Sequence, residues 1–404
     1  MGRTLIVCAL LVAGCGVGAD DDPSGPGSGS STPPPPPPAN NVTMTVHLGG
    51  APAANVPVIF QTNEGADMGA VMTDATGVAA GSLPLGGTVT IVFPRTDAPS
   101  DVYSYMGVKP NDQLDFTGPA ATATTTTINV TVPPAPSGGQ VSITTACGQT
   151  TGDAPVIALD LTGCGTQTDF YVSDGVTAGF LKRATIAPEI DLSAEPYHDA
   201  VATTLSVTDL PEDGSATLEK RLETDLLHPA FTTGALDTTL DTADATVDAS
   251  VPDVLGIQQL VVANVSDDDG STMIAARAAY TSTPTEIDVG PALLPAVSLA
   301  TLASSSVMWS EVGMGGNADF TVITLHTATV THTLAAVHHD ATLAIPELPV
   351  AYKQYNLAST DIPTIDVAIV RATGGYDAVR ANVFNGDLTD LAPMDGTVSI
   401  SLAQ

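Results

Sequence analysis

Beyond residue 41 the apolar positions recur with a period of two. Runs such as VTMTVHL, VPVIFQT, GTVTIVF, TTINVTV, QVSITTA, PVIALDL and DFYVS, and later IQQLVVANV, TMIAARAAY, FTVITLH, ATLAIP, IDVAIVRA and TVSISL, alternate or stay apolar between Gly, Pro, Asn and Asp. Alternation sends every second side chain to one face, the pattern of a half-buried strand. Val, Ile and Thr crowd these runs, as a pleated surface favours. Turn formers separate them: Thr73-Asp74-Ala75-Thr76-Gly77 and Ser266-Asp267-Asp268-Asp269-Gly270-Ser271 each lie between two such runs. No long window holds a helical period; residues 216–227, with Glu219, Lys220, Arg221 and Glu223, fit a short helix or a strand equally. Many short strands at near-regular spacing predict an all-β chain of tandem β-sandwich modules, not a parallel α/β sheet.

The first residues follow a different pattern. MGRTLIVCALLVAGC has one cation, Arg3, then an apolar run over 5–13 and small residues before Cys15. That is a secretory signal layout, and the run is too short to span a bilayer. Val12-Ala13-Gly14-Cys15 resembles the bacterial lipobox, which implies that residues 1–14 are removed and Cys15 is diacylated. The alternative is a plain signal peptide cleaved nearby, leaving a free Cys15. Cys8 fits the lipobox less, because Ile6 and Val7 before it are bulky. Residues 15–41 are rich in Gly, Ser and Pro and carry nothing that can be buried. Their six-proline run at 33–38 makes a stiff polyproline rod of about 19 Å at about 3.1 Å per residue. A tether of this kind lifts a folded body off a membrane. In lipoprotein sorting, Asp after the Cys implies inner-membrane retention; Gly16 stands here, which implies the outer membrane and a body directed to the surface.

Pro/Gly/Ser clusters at 132–140 and 290–298 suggest modules at 42–134, 139–196, 197–290 and 291–404. In the first, a small-residue stretch leads into a "PV" strand at 57–58, then TDATG and LPLGG enter further strands. This order resembles bacterial Ig-like and carboxypeptidase-regulatory-like modules, which implies a spacer or binding unit without catalytic residues. In the last, Trp309 in SSVMWSE precedes ADFTVITL, ATLAIPELP, IDVAIVRAT and TVSISL. This is similar to a fibronectin type III module with an early core Trp; the Arg-Gly-Asp tripeptide is absent.

Charge narrows the partners. Across 404 residues there are 11 Lys and Arg against 44 Asp and Glu, a net charge of −33. So few cations cannot build the basic face that phosphates require, so no nucleic acid is expected. Removing residues 1–14 takes away Arg3 and no acid, so the mature chain carries 10 − 44 = −34. An anionic membrane surface repels such a body, which complements the tether.

Of the four cysteines, Cys147 and Cys164 remain after signal processing and lipidation. In an exported protein that pair is expected to form a structural disulfide. Both end strand-like runs, so the bond requires a crossover within 148–155 to bring the two ends together. His326, His332, His338 and His339, with Asp319 and Asp340 nearby, invite a metal reading. Strand geometry opposes it: on one straight strand His326 and His332 would stand about 20 Å apart, and adjacent residues point to opposite faces. Solvent-facing imidazoles are the expectation. Asp267-Asp268-Asp269-Gly270 lacks the alternating spacing of an EF-hand loop. There is no G-x-S-x-G and no Gly-rich phosphate loop. Tyr103 with Tyr105, or Tyr352 with Tyr355, could form a saccharide platform.

The sequence thus predicts a non-catalytic binding, adhesion or spacer protein of the cell envelope, anchored in the outer membrane through Cys15, with a protein or polysaccharide ligand and no cofactor. The alternatives are a metal-dependent hydrolase built on residues 326–339, and a calcium-stiffened or carbohydrate-binding surface module.

Overall fold

The computed structural model describes residues 41–404 except 97, 119–124, 176–177, 210–214, 224–235, 240–244, 253–257, 267–270, 280–284, 304, 314–315, 358–362 and 404. The signal, Cys15, the tether and the Asp267-Asp268-Asp269 turn lie outside the described residues. What is described is all-β. Its dominant layer is a 12-stranded sheet running in order Leu236–Thr239, Ser215–Glu223, Gln258–Ser266, Ser271–Ala279, Gly396–Leu402, Thr364–Ala372, Phe320–His326, Val330–Val337, Ser100–Val108, Gly87–Phe93, Pro57–Thr62 and Asp67–Met72. Residues 216–223, open between helix and strand in the sequence, are therefore strand, because Gln258–Ser266 supplies a full antiparallel ladder from Ser215↔Ser266 to Glu223↔Gln258.

Burial follows the sequence pattern. Asn41–Leu48 buries Val42, Met44 and Val46 on one face. Gly87–Phe93 is buried over all but its last residue, since Val89 and Ile91 enter one core while Val92 enters another with Ile59, Val102 and Leu348. This is why GTVTIVF reads as a nearly continuous apolar run and VTMTVHL as an alternating one. The turn at 73–77 forms as expected. The Asp74 carboxylate accepts from the backbone N–H groups of Thr76 (2.8 Å) and Val78 (3.1 Å) and from the Thr76 hydroxyl (2.6 Å), which hold it below the usual Asp range. Gly77 closes it at φ 78°, where a Cβ would stand 2.5 Å from the Val46 carbonyl oxygen.

The module boundaries are redrawn. Strand Val330–Val337 pairs in parallel with Ser100–Val108, from Val330↔Ser100 to Ala335↔Tyr105. The segments expected as separate modules at 42–134 and 291–404 thus contribute neighbouring strands to one sheet. A smaller sheet, in which Asn41–Leu48 pairs with Val78–Ser82 and Gln113–Gly118, forms a second layer. One core contains Met44, Phe60, Tyr105, Leu260, Phe320 and Ile400 together. Strand Thr125–Thr131 leaves the first module and pairs with Val156–Thr162. Its Ile128 and Val130 enter a core with Ile143, Leu159, Phe170 and Leu192. Residues 290–298 are packed, not a free linker: the Thr272 hydroxyl donates to the Leu294 carbonyl at 3.4 Å and the Arg371 guanidinium to that of Pro291 at 2.5 Å.

The crossover required for the disulfide is an additional strand. Val141–Thr145 turns at Ala146 and Cys147 into Gly148–Gly152, which runs back antiparallel to it before Val156–Thr162 returns. After three passes the Thr162 N–H donates to the Cys147 carbonyl at 2.9 Å, and Cys147 and Cys164 are bonded with Cα atoms 5.5 Å apart. Gly148 permits the close return, since a Cβ there would stand 2.1 Å from the Asp160 carbonyl oxygen.

Candidate functional site

The 12-stranded sheet carries a cleft of about 350 Å³ on one face. Its floor is a cross-strand row. Asp366 lies opposite Thr324, Thr324 opposite Thr333, and Thr333 beside Tyr103 in the parallel joint, so the four side chains share a face over three strand spacings. At about 4.8 Å per spacing the row is about 14 Å long. The Thr324 and Thr333 hydroxyls are 3.4 Å apart, and His326 Nε2 lies 3.1 Å from the Asp366 carboxylate. A parallel row of apolar residues, Val322, Ala368 and Leu402, lies one step along the same face.

Aromatic rings form the wall. Tyr103 packs 4.7 Å from Phe116 and 5.4 Å from Phe384 by ring centroids, and Tyr105 lies 4.6 Å from Phe384. Phe384 belongs to a loop that also brings Leu388 to the cleft, and this loop is pinned. Asn385 accepts from the Thr117 N–H at 2.7 Å and donates to the Asp115 carboxylate at 2.9 Å, while Asp387 and Asp390 form a capping box behind it. The cleft is therefore pre-formed, with an aromatic wall and a few convergent polar groups, as small-molecule sites are. Burial, reinforced by the charge of Asp101, pushes the Tyr103 phenol up to about 12, so it enters the cleft as a neutral hydroxyl.

The sequence singled out Tyr103 with Tyr105, two residues apart on one strand-like run, as a candidate platform. They share a face, but only Tyr103 lines the cleft; Tyr105 is fully buried and donates to the Asp115 carbonyl at 3.0 Å. Tyr352 and Tyr355 instead pack partly buried against Val92, Val102 and Leu348. Trp309 is a core residue, with its indole N–H donating to Glu311 at 2.7 Å.

The histidines separate. His326 lies beside Asp366; His338 reaches the Thr321 hydroxyl at 2.8 Å and Glu311 at 3.4 Å; His339 is exposed. Asp319 accepts from the Ala372 N–H at 2.9 Å, and Asp340 is exposed. Among the described residues no three His, Cys, Asp or Glu side chains group to hold a metal ion. The expectation of solvent-facing imidazoles fails at His332, which is 1% exposed with Nε2 2.9 Å from the Ser104 hydroxyl, itself 2.8 Å from that of Thr90. Desolvation lowers the His332 pKa from 6.5 to about 4. A His depressed in the folded state contributes stability that is complete above its unfolded value and is lost as pH falls toward the folded one. Acidification from neutrality to about pH 5 is expected to cost about 2 kcal/mol through this group. Urea unfolding at the two pH values checks it: His332→Gln should lose less on acidification by that amount, and equal losses would count against it.

No family model matches the chain, and no curated protein matches it. Among solved structures, the Bacillus anthracis TIE protein is 11% identical, with 62% of this chain and 50% of that chain covered and a TM-score of 0.17. A streptococcal ancillary pilin is 7% identical, with 74% and 99% covered and a TM-score of 0.15. The chain thus spans about half the length of the TIE protein.

Sequence reasoning missed Phe116, Thr324, Thr333, Asp366 and Phe384. The available signal was rarity: with aromatics at 4% of the chain, bringing Phe93, Tyr103, Tyr105, Phe116 and Phe384 together is a concentration that the linear order conceals.

Proposed function

We propose that this chain is a lipid-anchored protein of the bacterial cell envelope whose all-β body acts as a non-catalytic binding or adhesion protein, with the cleft beside Tyr103 and Phe384 as its recognition surface. The observation that carries this reading is the cleft itself: a concave, pinned, aromatic-walled site on a broad sheet. The lipobox-like Val12-Ala13-Gly14-Cys15 and the proline-rich tether supply the anchor and the stand-off from an outer membrane. The dispersal of the histidines onto different partners favours binding over metal-dependent hydrolysis. Growth with a radiolabelled fatty acid tests the anchor. The wild-type chain takes up label and sediments with membranes, and Cys15→Ala does neither. A Cys15→Ala chain that is still labelled and membrane-bound would refute the anchored reading.

A further inference from the structure

We infer that the cleft binds a neutral saccharide, with one sugar ring laid against the Tyr103 and Phe384 wall and its hydroxyls met by Thr324, Thr333 and Asp366. The inference rests on the binding role proposed above and names the ligand class of that site. Four features of the cleft select it. Among the described residues no Lys or Arg lines the cleft, and the chain carries −33, so phosphates, uronates and other anions meet only like charge. A purely aliphatic ligand would strip water from the Thr324 and Thr333 hydroxyls, leaving them only each other, and from the Tyr103 phenol, which hydrogen-bonds to no described residue. An amine would find a single carboxylate, Asp366, whose side chain is 68% exposed and therefore screened by water, since Asp387 is engaged in its capping box. A neutral sugar ring matches what remains: its C–H face suits the aromatic wall, while its hydroxyls both donate to Asp366 and exchange hydrogen bonds with the paired threonines. Asp366, Thr324, Thr333 and Tyr103 stand in one register row, so the floor presents carboxylate, two hydroxyls and a phenol in sequence along a line. A chain of sugar units lying across the strands meets each in turn.

The test is saturation-transfer NMR followed by calorimetry on the full mature chain. Neutral probes are cellotriose, maltotriose, mannotriose and triacetylchitotriose; trigalacturonate and spermidine are the charged probes. The expected result is millimolar or tighter binding of at least one neutral probe and none of the charged pair. Thr333→Val, which keeps the shape and removes one hydroxyl, and Phe384→Ala, which lies in the loop and not in the sheet, should each weaken that binding about tenfold, with their folding verified by thermal unfolding. Absence of transfer from every neutral probe, preference for trigalacturonate or spermidine, or affinity unchanged in both variants would overturn the inference. Those outcomes leave the Cys15 anchor untouched, whereas loss of the anchor leaves the saccharide titration as it is, so the two failures are separable.

Discussion

Replacing Arg380 with Met is expected to destabilise the protein by about 3 kcal/mol, within the range for removing one partner from a buried charge cluster. The Arg380 side chain is 4% exposed and donates through Nε (2.9 Å) and Nη2 (2.8 Å) to one Asp112 oxygen and through Nη1 (2.5 Å) to Asp377. Its guanidinium also lies 5.4 Å from the Tyr376 ring centroid. Tyr376 in turn donates to the carbonyls of Met106 (3.1 Å) and Ala335 (3.0 Å), on the two strands of the parallel joint. The cluster therefore fastens the 109–112 turn to the C-terminal segment beside the place where the first and last parts of the chain meet. Asp377 is half exposed and also pairs with Lys109, so water screens that contact. Most of the loss comes from Asp112, a largely covered carboxylate left with only the Lys109 N–H at 2.8 Å. Urea unfolding gives the value. Arg380→Lys should recover only part of it, because an ammonium cannot reach both carboxylates in the same fork. A loss below about 0.5 kcal/mol would place the cluster with ordinary surface pairs.

The second large effect is local. Replacing Cys147 and Cys164 together with Ala should cost about 3 kcal/mol, as expected for a bridge closing a loop of this size, here with a sequence separation of 17. The core behind this bridge, with Ile128, Ile143, Leu159 and Phe170, shares no residue with the core that holds Met44, Phe320 and Ile400. Calorimetry should accordingly show one transition moving down while the other stays in place. An equal shift of both would mean that the two cores unfold as one.

Individual strands were legible because their period is a local property. VTMTVHL became Asn41–Leu48 with its apolar side inward, and the Asp74 to Gly77 turn formed from its own side chains. Strand partners were not legible, since alternation shows which face is buried but not against what. TTINVTV fits the end of the first module by spacing and pairs instead with Val156–Thr162, because the apolar face of Ile128 and Val130 suits either core. The cleft was hidden for the same reason. Tyr103 and Thr333 are neighbours only through a parallel joint, and the Ser104 to His332 bond beside it spans 228 residues. In THTLAAV, alternation sets His332 on the same face as Val330 and Leu334, but its polarity argued for solvent, and the Ser104 hydroxyl on the adjoining strand makes its burial tolerable. The disulfide pair was legible from compartment chemistry, whereas Gly148–Gly152, too short and polar to announce a strand, was not.

That the cleft stands on one sheet built from both the early and late segments of the chain is most directly tested by native-state hydrogen exchange. Amides that ladder Ser100–Val108 to Val330–Val337 should open with a single free energy, common to both strands and equal to that of Phe320–His326 beside them. If Ser100–Val108 instead opens with a different free energy from Val330–Val337, the two segments are independent modules and the shared sheet, with the cleft across it, is contradicted.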